Sequence, residues 1–161
     1  MNAKKTSSEQ LLVFMVRNQH QQSFVHWPLH VTIVPWFSVA TDLEIKLDDA
    51  LTTLAKNRQR IQAVIDHTET WGNHIVEVIA PNQQLHNFHL DVLMMLNQHN
   101  FVIHNAKYTG EVYRPHVTRQ QEGSVHIGDI LELHSFALIK QNKNVKTGEM
   151  VKTIVKEYEL L

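Results

Sequence analysis

The chain carries two copies of a His-x-Thr tripeptide, His30-Val31-Thr32 and His116-Val117-Thr118. A neutral imidazole can accept a proton and a protonated one can donate a proton, so paired histidines can act as general base and general acid. Threonine hydroxyls can donate hydrogen bonds to phosphate oxygens as negative charge develops on them. These side chains therefore suit the cleavage of a phosphate ester, and we expect that chemistry to need no metal and no other cofactor.

The surroundings of the two tripeptides make them informative. A chain of this length with 12 histidines contains about one His-x-Thr by chance. Each copy here lies in an apolar stretch that favours a strand, and strand side chains alternate between two faces. His30 and Thr32 therefore share one face, and His116 and Thr118 share another. If the two halves of the chain pack about an approximate two-fold axis, both polar faces line one cleft.

The elements that must position these strands include two amphipathic helices. Thr41 followed by Glu44 is a capping-box signature, and it predicts a helix whose apolar stripe reaches Leu54. Pro81 opens a second predicted helix that runs to about Asn97. Residues 150–158 also fit a helical stripe, but their β-branched content favours a strand. The predicted strands are 11–17, 29–34, 61–65, 74–79, 101–104, 111–118, 131–139 and 150–158.

This order of elements predicts an α+β fold of two related halves. A length of 161 residues suits one domain with a substantial core. We expect a single bilobal domain over 1–161, in which two antiparallel sheets form a central cleft and the helices lie outside. Residues 1–10 are polar and are expected to be flexible.

Composition excludes several classes of protein. The absence of cysteine excludes a disulfide scaffold, a cysteine nucleophile and a cysteine-ligated zinc site. A formal net charge of −1 argues against a long nucleic-acid footprint but allows a small anionic ligand or a single RNA end. The apolar run at 11–16 is too short for a signal peptide or a membrane span. We therefore expect a cytoplasmic monomer without a membrane partner.

The paired tripeptides resemble the motifs of the 2H phosphoesterase superfamily, whose members carry one His-x-Thr/Ser-x motif in each half of a bilobal α+β fold. The first copy continues into Val34-Pro35-Trp36-Phe37, and the second follows Arg114-Pro115. In the order of its elements, the resemblance covers residues 10–160. Arg119 departs from the pattern, because that position is usually hydrophobic. Cyclic-phosphodiesterase members often have a basic residue a little past the second motif, so Arg119 or Arg114 is a candidate phosphate contact.

The resemblance implies an RNA 2′,3′-cyclic phosphodiesterase, a 2′-5′ RNA ligase-like enzyme or a nucleotide-binding relative. In the first case, the partner is a nucleotide or RNA 3′ end whose cyclic phosphate opens to a 2′-phosphate. His116 then activates the water and His30 protonates the leaving 3′ oxygen. Thr32 and Thr118 hold the phosphate.

Other residues near the motifs are secondary candidates. Trp36 or Phe37 could stack on a base, whereas strand alternation favours a core position for Tyr113. His86 and His89 lie one helical turn apart, but no third ligand accompanies them, which disfavours zinc. Three lysines flank a predicted hairpin tip, where a solvated turn is a simpler interpretation than an RNA guide. They are Lys140, Lys143 and Lys146.

Two further functions stay open from the sequence. A nucleotide- or RNA-binding module on the same scaffold would use the same histidines and threonines to hold phosphate without turnover. The 12 histidines would also suit a metal carrier, because imidazole is a common metal ligand.

Overall fold

The structure, a computed structural model, describes residues 6–17 and 22–161. It contains two α-helices, α1 (Glu44–Lys56) and α2 (Gln83–Gln98), among the described residues. The strands are β1 (Ser7–Met15), β2 (Ser23–Phe24), β3 (His30–Ala40), β4 (Ile61–Trp71), β5 (His74–Ile79), β6 (Val102–Ile103), β7 (His116–Thr118), β8 (Ile130–Leu133), β9 (Ser135–Lys143) and β10 (Met150–Glu159). The predicted α+β class is confirmed.

The strands form one continuous antiparallel path in the order β2-β10-β9-β1-β3-β7-β5-β4-β8, and β6 pairs with β3. We call β1, β2, β3, β6, β9 and β10 the first lobe, and β4, β5, β7 and β8 the second lobe. The lobes join where β3 pairs with β7, with Val31 opposite Val117. The two sheets that the sequence predicts are thus hydrogen-bonded to each other through the two His-x-Thr strands.

The main core lies between the sheet and the two helices. Along β3 the side chains of Val31, Ile33, Phe37 and Val39 are fully buried, while most even-numbered ones are only half-buried. Each helix buries one apolar stripe, with Leu47 and Leu51 on α1 as an example. Neither α1 nor α2 is long and apolar enough to span a membrane, and the rest of the described chain offers no other such helix.

A second, smaller core covers the other face of the first lobe. It is built from Leu11, Val13, Phe24, Ala137, Ile139 and Ile154, with Trp27 and Trp36 packed at its border. Strand β1 lies between β3 and β9 and contributes to both cores. Burial on both faces explains why the run from Leu11 to Val16 is continuously apolar rather than alternating.

The ends of several elements differ from the sequence prediction. Thr41 forms no capping box, because its hydroxyl donates to the Thr6 carbonyl, and α1 begins only at Glu44 after a 3₁₀ turn. Helix α2 begins after Asn82, whose side-chain oxygen accepts the Leu85 N–H at 3.0 Å. The last strand, β10, is confirmed as a strand.

Two predicted boundaries near the motifs also shift. Strand β1 starts at Ser7 and pairs with β3, so Ser7–Gln10 are ordered by strand pairing rather than flexible; residues 1–5 lie outside the described residues. The predicted strand 111–118 shortens to β7, since Gly110–Val112 form a 3₁₀ turn. Pro115 contributes to that shortening because it has no N–H for a ladder hydrogen bond.

Candidate active site

The four side chains of the two tripeptides meet at the junction of the lobes. With Val31 opposite Val117 in an antiparallel pair, His30 lies opposite Thr118 and Thr32 lies opposite His116. Both valines are fully buried on the helix side, so all four motif side chains lie on the other face. The histidines are diagonal neighbours, a relation that puts Cα atoms roughly 7–8 Å apart.

Each histidine is oriented by the same type of hydrogen bond. His30 Nδ1 donates to the Pro28 carbonyl at 2.8 Å, and His116 Nδ1 donates to the Arg114 carbonyl at 2.9 Å. A carbonyl oxygen can only accept, so the Nδ1 atom carries the proton in a neutral ring. The Nε2 atoms make no hydrogen bond to any described residue, which leaves them available to accept a proton from, or donate one to, a ligand in the cleft.

An indole packs against each imidazole. The ring centroids of Trp27 and His30 are 4.6 Å apart, and those of Trp71 and His116 are 4.5 Å apart. The two contacts differ in angle, because Trp27 is tilted by 36° to its histidine and Trp71 by 61°. Together with the Nδ1 hydrogen bonds, these contacts fix the plane of each imidazole before any ligand binds.

Burial lowers the pKa of both histidines below the ordinary value. For His30 the desolvation is partly offset by the Pro28 carbonyl, and the nearby charge of His116 lowers the pKa further. For His116 the desolvation is partly offset by the Arg114 carbonyl, while the Arg114 guanidinium lowers the pKa. Because each positive charge disfavours another nearby, the pair favours a state with at most one protonated ring.

The two threonine hydroxyls are free to contact a ligand. Thr32 and Thr118 are half-buried, and neither hydroxyl has a hydrogen-bond partner within residues 6–17 and 22–161. The backbone of Thr32 is anchored separately, since its carbonyl accepts the Tyr113 hydroxyl at 2.8 Å. The hydroxyls can therefore donate to an anion between the two imidazoles.

No model of a protein family matches this sequence, and no curated protein matches it. Solved structures do resemble it. TT0787 of Thermus thermophilus superposes with a TM-score of 0.66 at 11% identity, covering 94% of this chain and 97% of that one. For Escherichia coli LigT in complex with 3′-AMP the TM-score is 0.66 at 12% identity, covering 96% and 99%. For the PDE domain of MHV ns2 the TM-score is 0.52 at 12% identity, and the match covers 83% of this chain and 98% of that one.

The chain has the 2H phosphoesterase fold. The resemblance that the two tripeptides predict is thereby confirmed for the fold. In this 2H fold the paired tripeptides occupy the two strands that join the lobes.

Arg114 lies at the edge of this site, on the face that carries His116. Its guanidinium forms a two-pronged ion pair with Glu69, with Nη2–Oε1 at 2.5 Å and Nη1–Oε2 at 3.2 Å. It is also half-exposed, at 51%. A phosphate contact by Arg114, as the sequence predicts, would therefore compete with a carboxylate that already holds two of its nitrogens.

Arg119 lies away from the site. Its Nε and Nη2 atoms are both 2.7 Å from Oε1 of Glu77, which is 1% exposed. Glu77 lies opposite Val117 in the register of β5 and β7, so the ion pair is on the face opposite to His116. Alternation along β7 carries Arg119 out of the cleft, and its prediction as a phosphate contact is not supported by this geometry.

The two predicted base-stacking residues have different positions. Trp36 is on the His30 face of β3, half-buried, with its ring 6.3 Å from that of Trp27. Phe37 is fully buried in the main core, so the prediction that it stacks on a base is wrong. The reason is strand alternation, which assigns odd-numbered positions of β3 to the core side.

His89 is a structural residue of the core. Its Nδ1 donates to the Ile33 carbonyl at 2.6 Å, its Nε2 accepts the Gly110 N–H at 2.8 Å, and its ring stacks on Tyr113 at 3.8 Å. Both ring nitrogens are therefore occupied, which leaves none for a metal shared with His86. Tyr113 packs against the core, as alternation predicts.

The three lysines near the hairpin have different positions: Lys140 lies inside β9, Lys143 ends β9, and Lys146 lies in the turn before β10. Lys140 pairs with Glu44 at 3.1 Å, and Lys143 and Lys146 are exposed. The positions of Lys143 and Lys146 agree with a solvated turn, whereas Lys140 is a half-buried strand residue.

Glu69 and Trp71 belong to the site but were not identified from the sequence. They lie on β4, which the sequence predicts only as far as residue 65. His67, Glu69 and Trp71 share the face of His116, because His67 pairs with Val78 and Val78 pairs with His116. Thr68, Thr70 and Trp71 are residue types that favour strands, and they were the available signal that β4 continues past residue 65.

Proposed function

We propose that this chain is a metal-independent phosphoesterase that opens 2′,3′-cyclic phosphates, on RNA ends or small nucleotides, to 2′-phosphates. The observation that carries the proposal is the pairing of β3 with β7, since it faces two oriented imidazoles with free Nε2 atoms toward one surface. The fold supports it too, because the similar LigT structures include complexes with 3′-AMP, phosphate, NADP+ and ATP.

The proposed step uses one proton acceptor and one proton donor. Neutral His116 takes a proton at Nε2 from a water molecule as the water oxygen bonds to phosphorus. The bond between phosphorus and the 3′ oxygen breaks, and protonated His30 gives its Nε2 proton to that oxygen. The product is a 2′-phosphate with a free 3′ hydroxyl. The assignment of base and acid follows the motif resemblance, and proton exchange with solvent restores both rings.

The threonines complete the proposed site. Thr32 lies opposite His116 and Thr118 lies opposite His30, so a phosphorus atom between the imidazoles has one hydroxyl on each side. Both hydroxyls then donate to non-bridging oxygens, where charge develops in the transition state.

The test is turnover of a substrate panel in the presence of EDTA. The panel contains 2′,3′-cyclic mononucleotides and oligomers with cyclic-phosphate ends, and the expected product is the 2′-phosphate isomer. His30→Ala and His116→Ala should each lower turnover by roughly 10²–10⁴. His134→Ala is the matched control, because His134 is exposed between β8 and β9. Unchanged turnover in His30→Ala or His116→Ala would remove that histidine from the mechanism.

The pH dependence of turnover should be bell-shaped, because one ring must be neutral and the other charged. Burial lowers the pKa of both His30 and His116 from 6.5. Loss of activity toward low pH reports protonation of the base, and loss toward high pH reports deprotonation of the acid. We therefore expect kcat/KM of the free enzyme to peak below pH 6.5; a flat profile from pH 5 to 8 would contradict the two-histidine mechanism.

Binding measurements distinguish the remaining functions. Affinity for AMP and for 2′,3′-cyclic AMP is measured by calorimetry beside the turnover assay. Tight binding without product would favour a nucleotide-binding module. Joining of two RNA fragments through a 2′-5′ bond would favour a ligase.

A further inference from the structure

Glu69 collects hydrogen bonds from three side chains of the second lobe. Arg114 donates twice, Trp71 Nε1 donates to Oε2 at 2.5 Å, and His67 Nε2 donates to Oε1 at 2.8 Å. These donors, the Arg114 guanidinium first among them, lower the pKa of Glu69 to about 2. The carboxylate therefore stays charged throughout the range in which histidines titrate.

Two of those three partners touch His116. The Trp71 indole packs against the imidazole at 4.5 Å, and the Arg114 carbonyl accepts the His116 Nδ1–H. The Arg114 guanidinium also lies over the Trp71 ring, 5.1 Å from its centroid. Glu69 thus holds both residues that orient the imidazole, without touching it itself.

We propose that Glu69 is a positioning residue for His116, which it orients through Trp71 and Arg114 while it neutralises the arginine charge beside the imidazole. Arg114 is then part of this assembly rather than a contact to phosphate. The kinetic consequence depends on the proposed phosphoesterase function, whereas the orientation of His116 does not.

The first lobe provides an internal reference. Lys152 Nζ lies over the Trp27 ring, 5.5 Å from its centroid, just as the Arg114 guanidinium lies over the Trp71 ring. Lys152 Nζ also donates a hydrogen bond to the Val25 carbonyl at 2.9 Å. Within the described residues, no carboxylate forms a hydrogen bond or ion pair with Trp27 or Lys152. Changes at Glu69 should therefore affect the orientation of His116 and leave the orientation of His30 as it is.

Among the described residues, the charged and titratable groups on the face of His116 include Arg114, Glu69, His67, His74 and His30. Of these, Arg114 lowers the pKa of His116. In Glu69→Gln the amide oxygen can still accept from Trp71, but the negative charge that compensates Arg114 is lost. The pKa of His116 should therefore fall in this variant. Glu69→Ala removes the acceptor as well, so the indole should also leave the imidazole.

The experiment is an NMR titration of the histidine ring signals in the unliganded protein. Glu69→Gln should lower the pKa of His116 by about 0.5 unit or more. The pKa of His30 should change less and in the opposite direction, because a His116 that is less often charged repels protonated His30 less. In Glu69→Ala the His116 ring protons should also lose the ring-current shift that a neighbouring indole produces. Glu132→Gln is the matched control, because Glu132 is an exposed carboxylate on β8 of the same lobe.

Kinetics on 2′,3′-cyclic AMP add a second readout. We expect kcat to fall roughly 10-fold in Glu69→Ala, as is typical when the positioning of a reacting group is loosened, with KM changed less and Glu69→Gln intermediate. An unchanged pKa and ring shift of His116 in both variants would overturn the proposal. A lower KM in Glu69→Gln with an unchanged His116 pKa would also overturn it and return Arg114 to a phosphate contact. If the wild-type protein turns over no cyclic phosphate, the NMR result still decides the role of Glu69.

Discussion

His30 and His116 occupy equivalent positions at the junction, but the two lobes hold them by different physical means. In the first lobe, Trp27 packs against Phe24 at 5.3 Å and against Trp36 at 6.3 Å, on the border of the smaller apolar core. In the second lobe, Trp71 donates a hydrogen bond to the Glu69 carboxylate and packs under the Arg114 guanidinium. Apolar packing is insensitive to salt, whereas half-exposed ion pairs are screened by it. We therefore expect the position and pKa of His30 to change little with salt or with single polar substitutions, and those of His116 to change more.

The largest expected effect tests whether the two lobes act as one catalytic unit. The double variant His30→Ala/His116→Ala should lose little more kcat than the worse single variant, because removing either partner already disables the concerted transfer. Single and double variants are compared by kcat on the same cyclic nucleotide. Losses that multiply would indicate two independent contributions instead of one unit.

Replacing the two tryptophans should separate apolar from ionic support. Trp27→Ala should lower the free energy of unfolding by about 2–4 kcal/mol, since a large side chain leaves an apolar cluster. Trp71→Ala should cost only about 1 kcal/mol, because its neighbours are polar and half-exposed. Urea unfolding of both variants measures the difference. Equal losses would show that the lobes are held in the same way.

A substitution of His89 tests the packing between the lobes, because this buried side chain bonds both to β3 of the first lobe and to the turn that precedes β7 of the second. Burial lowers the pKa of His89, so the unfolded chain binds more protons than the folded one below pH 6.5, its ordinary value. Stability is therefore full above that pH and falls as the pH drops below it. His89→Gln should reduce this pH dependence and cost about 1–3 kcal/mol through imperfect pairing of the Ile33 carbonyl or the Gly110 N–H. The control variant His134→Ala should leave the pH dependence of stability unchanged. The measurement is thermal unfolding of both variants and the wild type at pH 5 and pH 7.5.

The smallest effect is that of salt on the two histidines. Raising NaCl from 0.05 to 1 M screens Arg114 and should raise the pKa of His116 by a few tenths of a unit. The pKa of His30 should change less, because burial, which salt does not screen, is the main reason that it is lowered. The measurement is the same NMR titration at both salt concentrations, and equal shifts at both histidines would remove the distinction.

Local features of the fold and site follow from the sequence where strand alternation decides them. The alternation around Val31 and Val117 assigns all four motif side chains to one face, and it would have excluded Phe37 if applied further along β3. Long-range pairing does not follow in this way. Nothing local indicates that β3 pairs with β7, or in which register, because a face can be read from periodicity but a partner strand cannot.

Tertiary contacts also override local propensity at both ends of the site. Strand β4 continues to Trp71 through polar residues because it stays paired with β5, whereas the local sequence is apolar only to residue 65. Thr41 uses its hydroxyl for Thr6 rather than for a helix cap. The contact of Glu69 with Arg114 joins two segments that no short-range pattern links.

The strand order has a consequence for how the chain reaches this state. Strand β1 needs β3 on one side and β9 on the other, yet all of β4, β5, β7 and β8 lie between those neighbours in the chain. The first lobe therefore cannot be completed without closing a loop that contains the whole second lobe, a pairing of high contact order that slows folding. We therefore expect one cooperative unfolding transition, in which neither lobe stays folded when the other unfolds.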